Sequence, residues 1–238
     1  VIVALLLVAT MPFTKLRHLF NGPLNILVRP QRPMGTLQKI EDIETTELLG
    51  VGKIVEFAPQ QLLSFDACLK CGRCHEACPA NISGMDYSPR DLIQMLYKGM
   101  NNALLTGDAK PEDDLLGKVV PENYSWQCTT CGACIVKCPV FINPVDEVVD
   151  LRRFQALTSG KLPKSISDLL RNFERQGNPW GIPADQKMAW AEGLNIRELA
   201  EGDQVDVLYF VGCAAAFDQR NQKVARAFVR ILRAAGVD

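Results

Sequence analysis

The spacing of apolar and polar positions changes several times along this chain. It opens on a nearly unbroken apolar run, VIVALLLVATMPF, of 13 residues. That is short of the roughly 20 residues needed to cross a bilayer as a helix. The basic residues come after the run: Lys15, Arg17 and His18, then Arg29 and Arg32. A signal peptide would place basic residues first and a small-residue cleavage site last. The observed order predicts that residues 1–20 are the end of a membrane helix leaving on the cytoplasmic side. A buried strand or core helix of a soluble domain is the alternative. Residues 21–60 carry Pro23, Pro30, Pro33 and several glycines. They predict an extended juxtamembrane connector, with Glu41, Glu44 and Glu47 in a short polar patch for which a helix is one option.

Helical spacing follows. In YSPRDLIQMLYKGMNNALL, Ser88 is placed to cap a helix, Pro89 occupies its first position and Asp91 lies three residues after the cap. Leu92, Leu96 and Ala103 share one face. A second helix starts at Asn143-Pro144 and runs through VDEVVDLRRFQAL. A third, SISDLLRNFERQ, stops at Gly177, and GNPWGIP is a loop. The run VDVLYFVG reads as a buried strand. NQKVARAFVRILRAAG reads as a helix with Val224, Phe228, Leu232 and Ala235 at helical spacing. Strand, loop and helix in that order open an α/β domain. The first residue is Val, and the chain stops soon after a helix end and a Gly. A fragment of a longer protein is therefore expected.

Composition narrows the chemistry. The 238 residues suffice for one large domain or two small ones. A formal net charge of −1 offers no global basic field, so nucleic acid is not an expected partner. The 9 cysteines are an odd number in a chain larger than a small secreted scaffold. Their spacings are those of metal sites, which predicts reduced thiolates in a reducing compartment.

Eight of them form two quartets, CLKCGRCHEACP and CTTCGACIVKCP, both reading C-x2-C-G-x-C-x3-C-P. Thiolates are soft ligands that suit iron–sulfur clusters or zinc. Zinc usually takes two separated pairs. Three cysteines at successive three-residue steps instead let one loop wrap three corners of a cubane. Gly72 and Gly132 would relieve crowding where backbone nears sulfur. In two-cluster ferredoxins the fourth cysteine of such a run ligates the other cluster. The expected sets are therefore Cys68, Cys71, Cys74 and Cys138 for cluster 1, and Cys128, Cys131, Cys134 and Cys78 for cluster 2. Pro79 and Pro139 fix the chain direction after each fourth cysteine. Such a pair of 4Fe-4S clusters conducts single electrons and has no open coordination position. Arg73, His75 and Lys137 read as solvated positions, with a docking surface or potential tuning as the functional alternative. His75 is not expected to be a ligand, because both quartets are complete.

Residues 79–127 separate the quartets and contain a predicted helix, a longer joint than in compact bacterial ferredoxins. Residues 61–157 thus resemble the α-helical ferredoxin type of succinate dehydrogenase-like and heterodisulfide reductase-like complexes, with WQCTTCGACIVKCPV carrying the likeness. MPFTKLRHLFNGPLN resembles the last membrane helix of the cytochrome b (gamma) subunit of membrane-bound nitrate reductase. That likeness implies His18 as an axial ligand of haem b, the second ligand lying outside this sequence. An interfacial histidine beside Lys15 and Arg17 is the alternative. DVLYFVGCAAAFDQRNQKVARAFVRILRAAGVD resembles the start of a cysteine-rich CCG domain, and RNFERQGNPWG with Trp190 resembles the connector before it. This implies Cys213 as a ligand of a third iron–sulfur cluster whose other ligands lie beyond residue 238. A buried structural cysteine is the alternative.

The expected fold is mainly α. It comprises the end of a membrane helix (1–20), a connector (21–60), a two-cluster ferredoxin-type domain (61–157), a helical connector (158–203) and the first strand and helix of an α/β CCG domain (204–238). Together these resemble the fused membrane iron–sulfur oxidoreductases related to heterodisulfide reductase, including proposed electron-transfer-flavoprotein:menaquinone oxidoreductases. The resemblance implies an oxidoreductase component at the cell membrane with its clusters on the cytoplasmic side. Electrons would pass between a cytoplasmic redox partner, such as an electron-transfer flavoprotein, and a b-haem or quinone site in the membrane. This stretch alone would lack a complete catalytic site. The alternatives are a heterodisulfide reductase-like enzyme with a catalytic cluster in the CCG domain, and a soluble ferredoxin-like module with an apolar tail.

Overall fold

The computed structural model describes residues 10, 14–40, 42–46, 48–202, 204–205 and 207–237. They divide into two compact units, one up to Lys161 and one from Leu162. Both are helical. Among the described residues the β contacts are two isolated bridges, Lys53 with Asp114 and Leu116 with Val120.

The first unit opens with a 3-10 turn, Lys15–Arg17, leading into helix α1, His18–Val28. The expected extended connector is thus helical over its first eight residues, even with Pro23 inside the helix. Tertiary contacts outweigh the local signal, since helix stability in proteins comes mostly from packing. Arg17 pairs with Asp66 at 3.0 Å. Asn21 also donates to Asp66, and Arg17 to the Tyr97 hydroxyl. Fully buried Asn25 donates to the Val140 carbonyl at 2.8 Å. The apolar run at 1–9 and 11–13 lies outside the described residues, and no helix among those described is long and apolar enough to cross a membrane. In the polar patch, 42–45 form a turn; Glu41 and Glu47 lie outside the described residues.

Helix α2 (Pro59–Asp66) begins where proline is best tolerated, and the Gln61 side chain accepts from the Ala58 N–H. Helix α3 (Arg73–Glu76) follows the first two cysteines and carries the third, and α4 (Pro79–Ile82) follows the fourth. Helix α5 (Pro89–Asn101) is capped by Ser88, whose hydroxyl accepts from the Asp91 N–H at 3.2 Å. It continues into a π turn, Asn102–Thr106. Helix α6 (Ala133–Lys137) carries the third cysteine of the second quartet, Cys134, and ends at the fourth, Cys138. Helix α7 (Pro144–Arg153) is capped by Asn143, with acidic residues in its first turn and basic ones in its last, as its dipole favours. The core joins Phe65 of α2, Leu92, Ile93 and Leu96 of α5, and Val148 and Leu151 of α7.

Gly50 is where the connector meets α7. Its φ is +92°, and a Cβ there would lie 2.2 Å from the Phe154 nitrogen and 2.4 Å from the Asp150 carbonyl oxygen. Only glycine permits that approach.

In the second unit, α8 (Lys164–Gln176) ends at Gly177, φ +67°, as the sequence predicts. A 3-10 stretch, Ala184–Ala191, follows the GNPWGIP loop. Helices α9 (Cys213–Phe217) and α10 (Gln219–Ala234) close the chain, α10 capped by Asp218. One expectation is corrected here. The run VDVLYFVG is not a buried strand: its described residues pair with nothing, and Val207, Leu208 and Phe210 are exposed. A strand needs a neighbour to take up its N–H and C=O groups, and the described residues offer none. On α10 the buried positions are Ala225 and Val229, whereas Val224 and Phe228 are exposed. They pack with Trp190, Leu194 and Ala216.

Candidate metal centre

The two cysteine loops have the same backbone path. Lys70 and Thr130 both have φ +54°, and Gly72 and Gly132 have φ +84° and +77°. Each glycine caps a short helix, α3 or α6, and these two helices pack against each other. Cys78 and Cys138 then leave the helices at φ/ψ of −79°/117° and −78°/119°. The duplication in sequence is a duplication in shape. It ends after the fourth cysteine: Pro79 starts α4, whereas Pro139 enters a turn. A Cβ on Gly72 would meet only Arg90, at 4.0 Å. The positive φ favours glycine there.

The fourth cysteine of the second quartet lies with the first quartet. Cys138 lines a single pocket with Cys68, Cys71 and Cys74, and Cys134 lines it too. Cys138 also acts electrostatically on Cys68 and Cys74. Cys78 shares with Cys128 and Cys134 the surroundings of Tyr87. Cys78 and Cys134 are buried and Cys71 and Cys131 exposed, so each loop reaches from the interior to the surface.

These thiols suit a polynuclear cluster. The first quartet rims a cavity. Main-chain N–H groups already aim at sulfur: Thr130 donates to Cys128 Sγ and Ile142 to Cys138 Sγ, both at 3.3 Å. Burial, then neighbouring thiolates, push Cys74 up to about 11 and Cys134 up to about 12. Thiols held protonated this way need the positive charge of bound iron to become ligands. Tyr87 adds a further sign of fit. It is 2% exposed, its hydroxyl has no hydrogen-bond partner, and it lies against Cys128. A cluster thiolate there would be its acceptor.

The sequence did not single out Tyr87 or Arg152. Arg152 donates to the carbonyls of Ser125, at 2.6 Å, and of Cys128, at 2.5 Å, and its guanidinium lies 5.2 Å from the Trp126 ring centroid. His75 is a structural residue: Nδ1 lies 3.0 Å from the Ser88 hydroxyl, tying α3 to the cap of α5. Arg73 and Lys137 are exposed. His18 opens α1 with Nδ1 buried and without a hydrogen-bond partner. Cys213 opens α9, partly exposed, and is the only cysteine of residues 162–238.

Residues 67–142 match the family model of the 4Fe-4S dicluster domain. The chain is 34% identical to "Probable iron-sulfur-binding oxidoreductase FadF" of Bacillus subtilis, over 95% of this chain and 38% of that protein. It is 33% identical to "EtfAB:quinone oxidoreductase" of Syntrophomonas wolfei, over 99% of this chain and 37% of the relative. It is also 33% identical to "Probable membrane-anchored ferredoxin" of Chromohalobacter salexigens, over 94% of this chain and 38% of the relative. The chain therefore spans somewhat more than a third of the length of these relatives.

Proposed function

We propose that this chain, which carries a 4Fe-4S dicluster domain and resembles oxidoreductases along nearly all of its length, is the electron-transfer segment of a membrane-bound oxidoreductase. Electrons pass through it between a cytoplasmic redox partner and a b-haem or quinone site in the membrane. An electron-transfer flavoprotein is the partner that the name of the Syntrophomonas relative favours, and the name of the Chromohalobacter relative favours attachment to a membrane. The observation that carries the reading is the place of Cys138 on the pocket of Cys68, Cys71 and Cys74, which supports crossed ligation. Crossed ligands tie two clusters into one conductor.

When bound, the clusters supply reversible one-electron storage. Cys68, Cys71, Cys74 and Cys138 hold one, and Cys128, Cys131, Cys134 and Cys78 the other. The left-handed residues at 70, 72, 130 and 132 turn main-chain N–H groups toward sulfur. Buried Ile93 of α5 lines the pocket of the first loop and helps to keep water from it. His18, at the head of a helix fastened to this domain, is the candidate axial ligand of a haem b. Cys213 is the candidate first ligand of a third cluster.

The test uses membranes containing the full-length protein. Reduced electron-transfer flavoprotein is added with menaquinone, and both cluster signals and quinol are followed. The expected result is reduction of both clusters followed by quinol formation, lost in Cys71→Ser. Quinol formation that proceeds unchanged in Cys71→Ser and Cys131→Ser would overturn the proposal.

A further inference from the structure

We propose that Tyr87 and Arg152 hold the cluster on Cys128, Cys131, Cys134 and Cys78 at a higher midpoint potential than the cluster on Cys68, Cys71, Cys74 and Cys138. This rests on the two-cluster reading with crossed ligands. The two loops have matching dihedrals at Lys70 and Thr130 and at Gly72 and Gly132, so a difference between their clusters must come from side chains rather than from the path of the loop.

Those residues differ in kind. On the second quartet, Tyr87 is buried beside Cys128 with a hydroxyl that bonds nothing else. Its ring packs on Tyr124, centroids 5.1 Å apart. Tyr124 does not compete for this role, because its own hydroxyl accepts from the Ser88 N–H at 2.9 Å. Arg152 brings a half-buried cation to the carbonyl of the same cysteine, and among the described residues no carboxylate forms an ion pair with it. On the first quartet the side-chain donor toward Cys68 is the Gln94 amide, which is neutral. Arg90 lines that pocket, but it is paired with Asp91 at 2.7 Å and a third exposed. Lys70 and Arg73 are exposed, where water and salt screen them.

Reduction adds one negative charge to a cluster. A hydrogen-bond donor on its sulfur and an unpaired cation in low dielectric stabilise the reduced form. The first cluster has donors of its own, Gln94 toward Cys68 and the Ile142 N–H toward Cys138, but the half-buried cation without an ion pair lies on the Cys128 side alone. The electron therefore settles there first.

The experiment is a redox titration of the full-length protein followed by EPR, with iron and sulfide counted in every variant. The signal altered by Cys131→Ser identifies the second cluster. It should carry the higher midpoint. Tyr87→Phe, which removes one oxygen, and Arg152→Gln, which removes the charge, should each weaken its reduction about tenfold. For one electron that is a fall of about 59 mV. The other midpoint should stay in place, and Arg152→Lys should recover most of the loss. Should Arg152→Gln fail to load its cluster, Tyr87→Phe decides. The proposal is overturned if the higher midpoint belongs to the Cys68 side, or if fully loaded variants leave both midpoints unmoved. A count other than two clusters would instead contradict the two-cluster reading itself.

Discussion

The side-chain amide of Asn25 donates to the main-chain carbonyl of Val140 across 2.8 Å, joining helix α1 to the segment just after Cys138. Val140 lines the same pocket as Cys68, Cys71 and Cys74. The helix that follows the apolar N-terminal run is thereby fastened to the wall of the first cluster site. Gly22, one turn earlier, faces the Val140 side chain, where a Cβ would stand 3.4 Å from Cγ1.

Replacing Asn25 with Leu should destabilise the first unit. The Val140 carbonyl would remain buried and lose its donor, at a cost of about 1–3 kcal/mol. The urea midpoint of the cluster-loaded protein should fall accordingly. An unchanged midpoint would mean that α1 is not held there in solution.

Gly50→Ala should be far more damaging than Gly107→Ala. At Gly50 the new methyl meets main-chain atoms of Asp150 and Phe154, which cannot swing aside. A cost of about 3 kcal/mol or more is expected. Gly107 also has positive φ, +72°, but a Cβ there meets nothing within 4 Å. Only the left-handed backbone penalty of roughly 1–2 kcal/mol remains. Comparing the two melting temperatures checks the order.

Glu147 predicts a pH dependence of known sign. Its carboxyl is 2% exposed, with Oε2 lacking a partner. Burial, then the charges of Asp146 and Asp150, hold it well above the ordinary carboxylate range; Arg32 acts the other way. The native state therefore keeps a proton that the unfolded chain releases. This contribution is fully present below the unfolded value, near 4.3, and is lost as pH rises toward the native one. Glu147→Gln removes the loss. Its stability gain over wild type should be larger near neutral pH than at about pH 4. Equal gains at both would contradict a buried neutral carboxyl. Asp91 and Asp168 shift the opposite way, but they are common to both proteins and cancel in the comparison.

What the sequence made legible were features encoded within a few residues. Ser88 with Pro89, and Asn143 with Pro144, mark helix starts by side chains that bond their own backbone. The cysteine steps mark two loops of one shape. What it hid depends on distant contacts. Pro23 and the nearby glycine argue locally against a helix, and the bonds from Asn25 to Val140 and from Asn21 to Asp66 overrule them. VDVLYFVG has the composition of a strand, but pairing depends on a neighbour that the described residues do not include. On α10, Val224 and Val229 are equally apolar in composition, and only packing against Trp190 and Ala216 picks Val229. Tyr87 left no signal at all: an aromatic before a helix cap is ordinary until its hydroxyl is found facing a cysteine.

The crossed ligation of the two clusters is tested most directly by EPR of Cys78→Ser in the full-length protein. Cys78 stands in the first cysteine motif, yet its surroundings are shared with Cys128 and Cys134. The spectrum should show the cluster on Cys128, Cys131 and Cys134 altered or lost, with the signal of the cluster on Cys68, Cys71 and Cys74 intact. Damage confined to the cluster on Cys68, Cys71 and Cys74 would contradict the account.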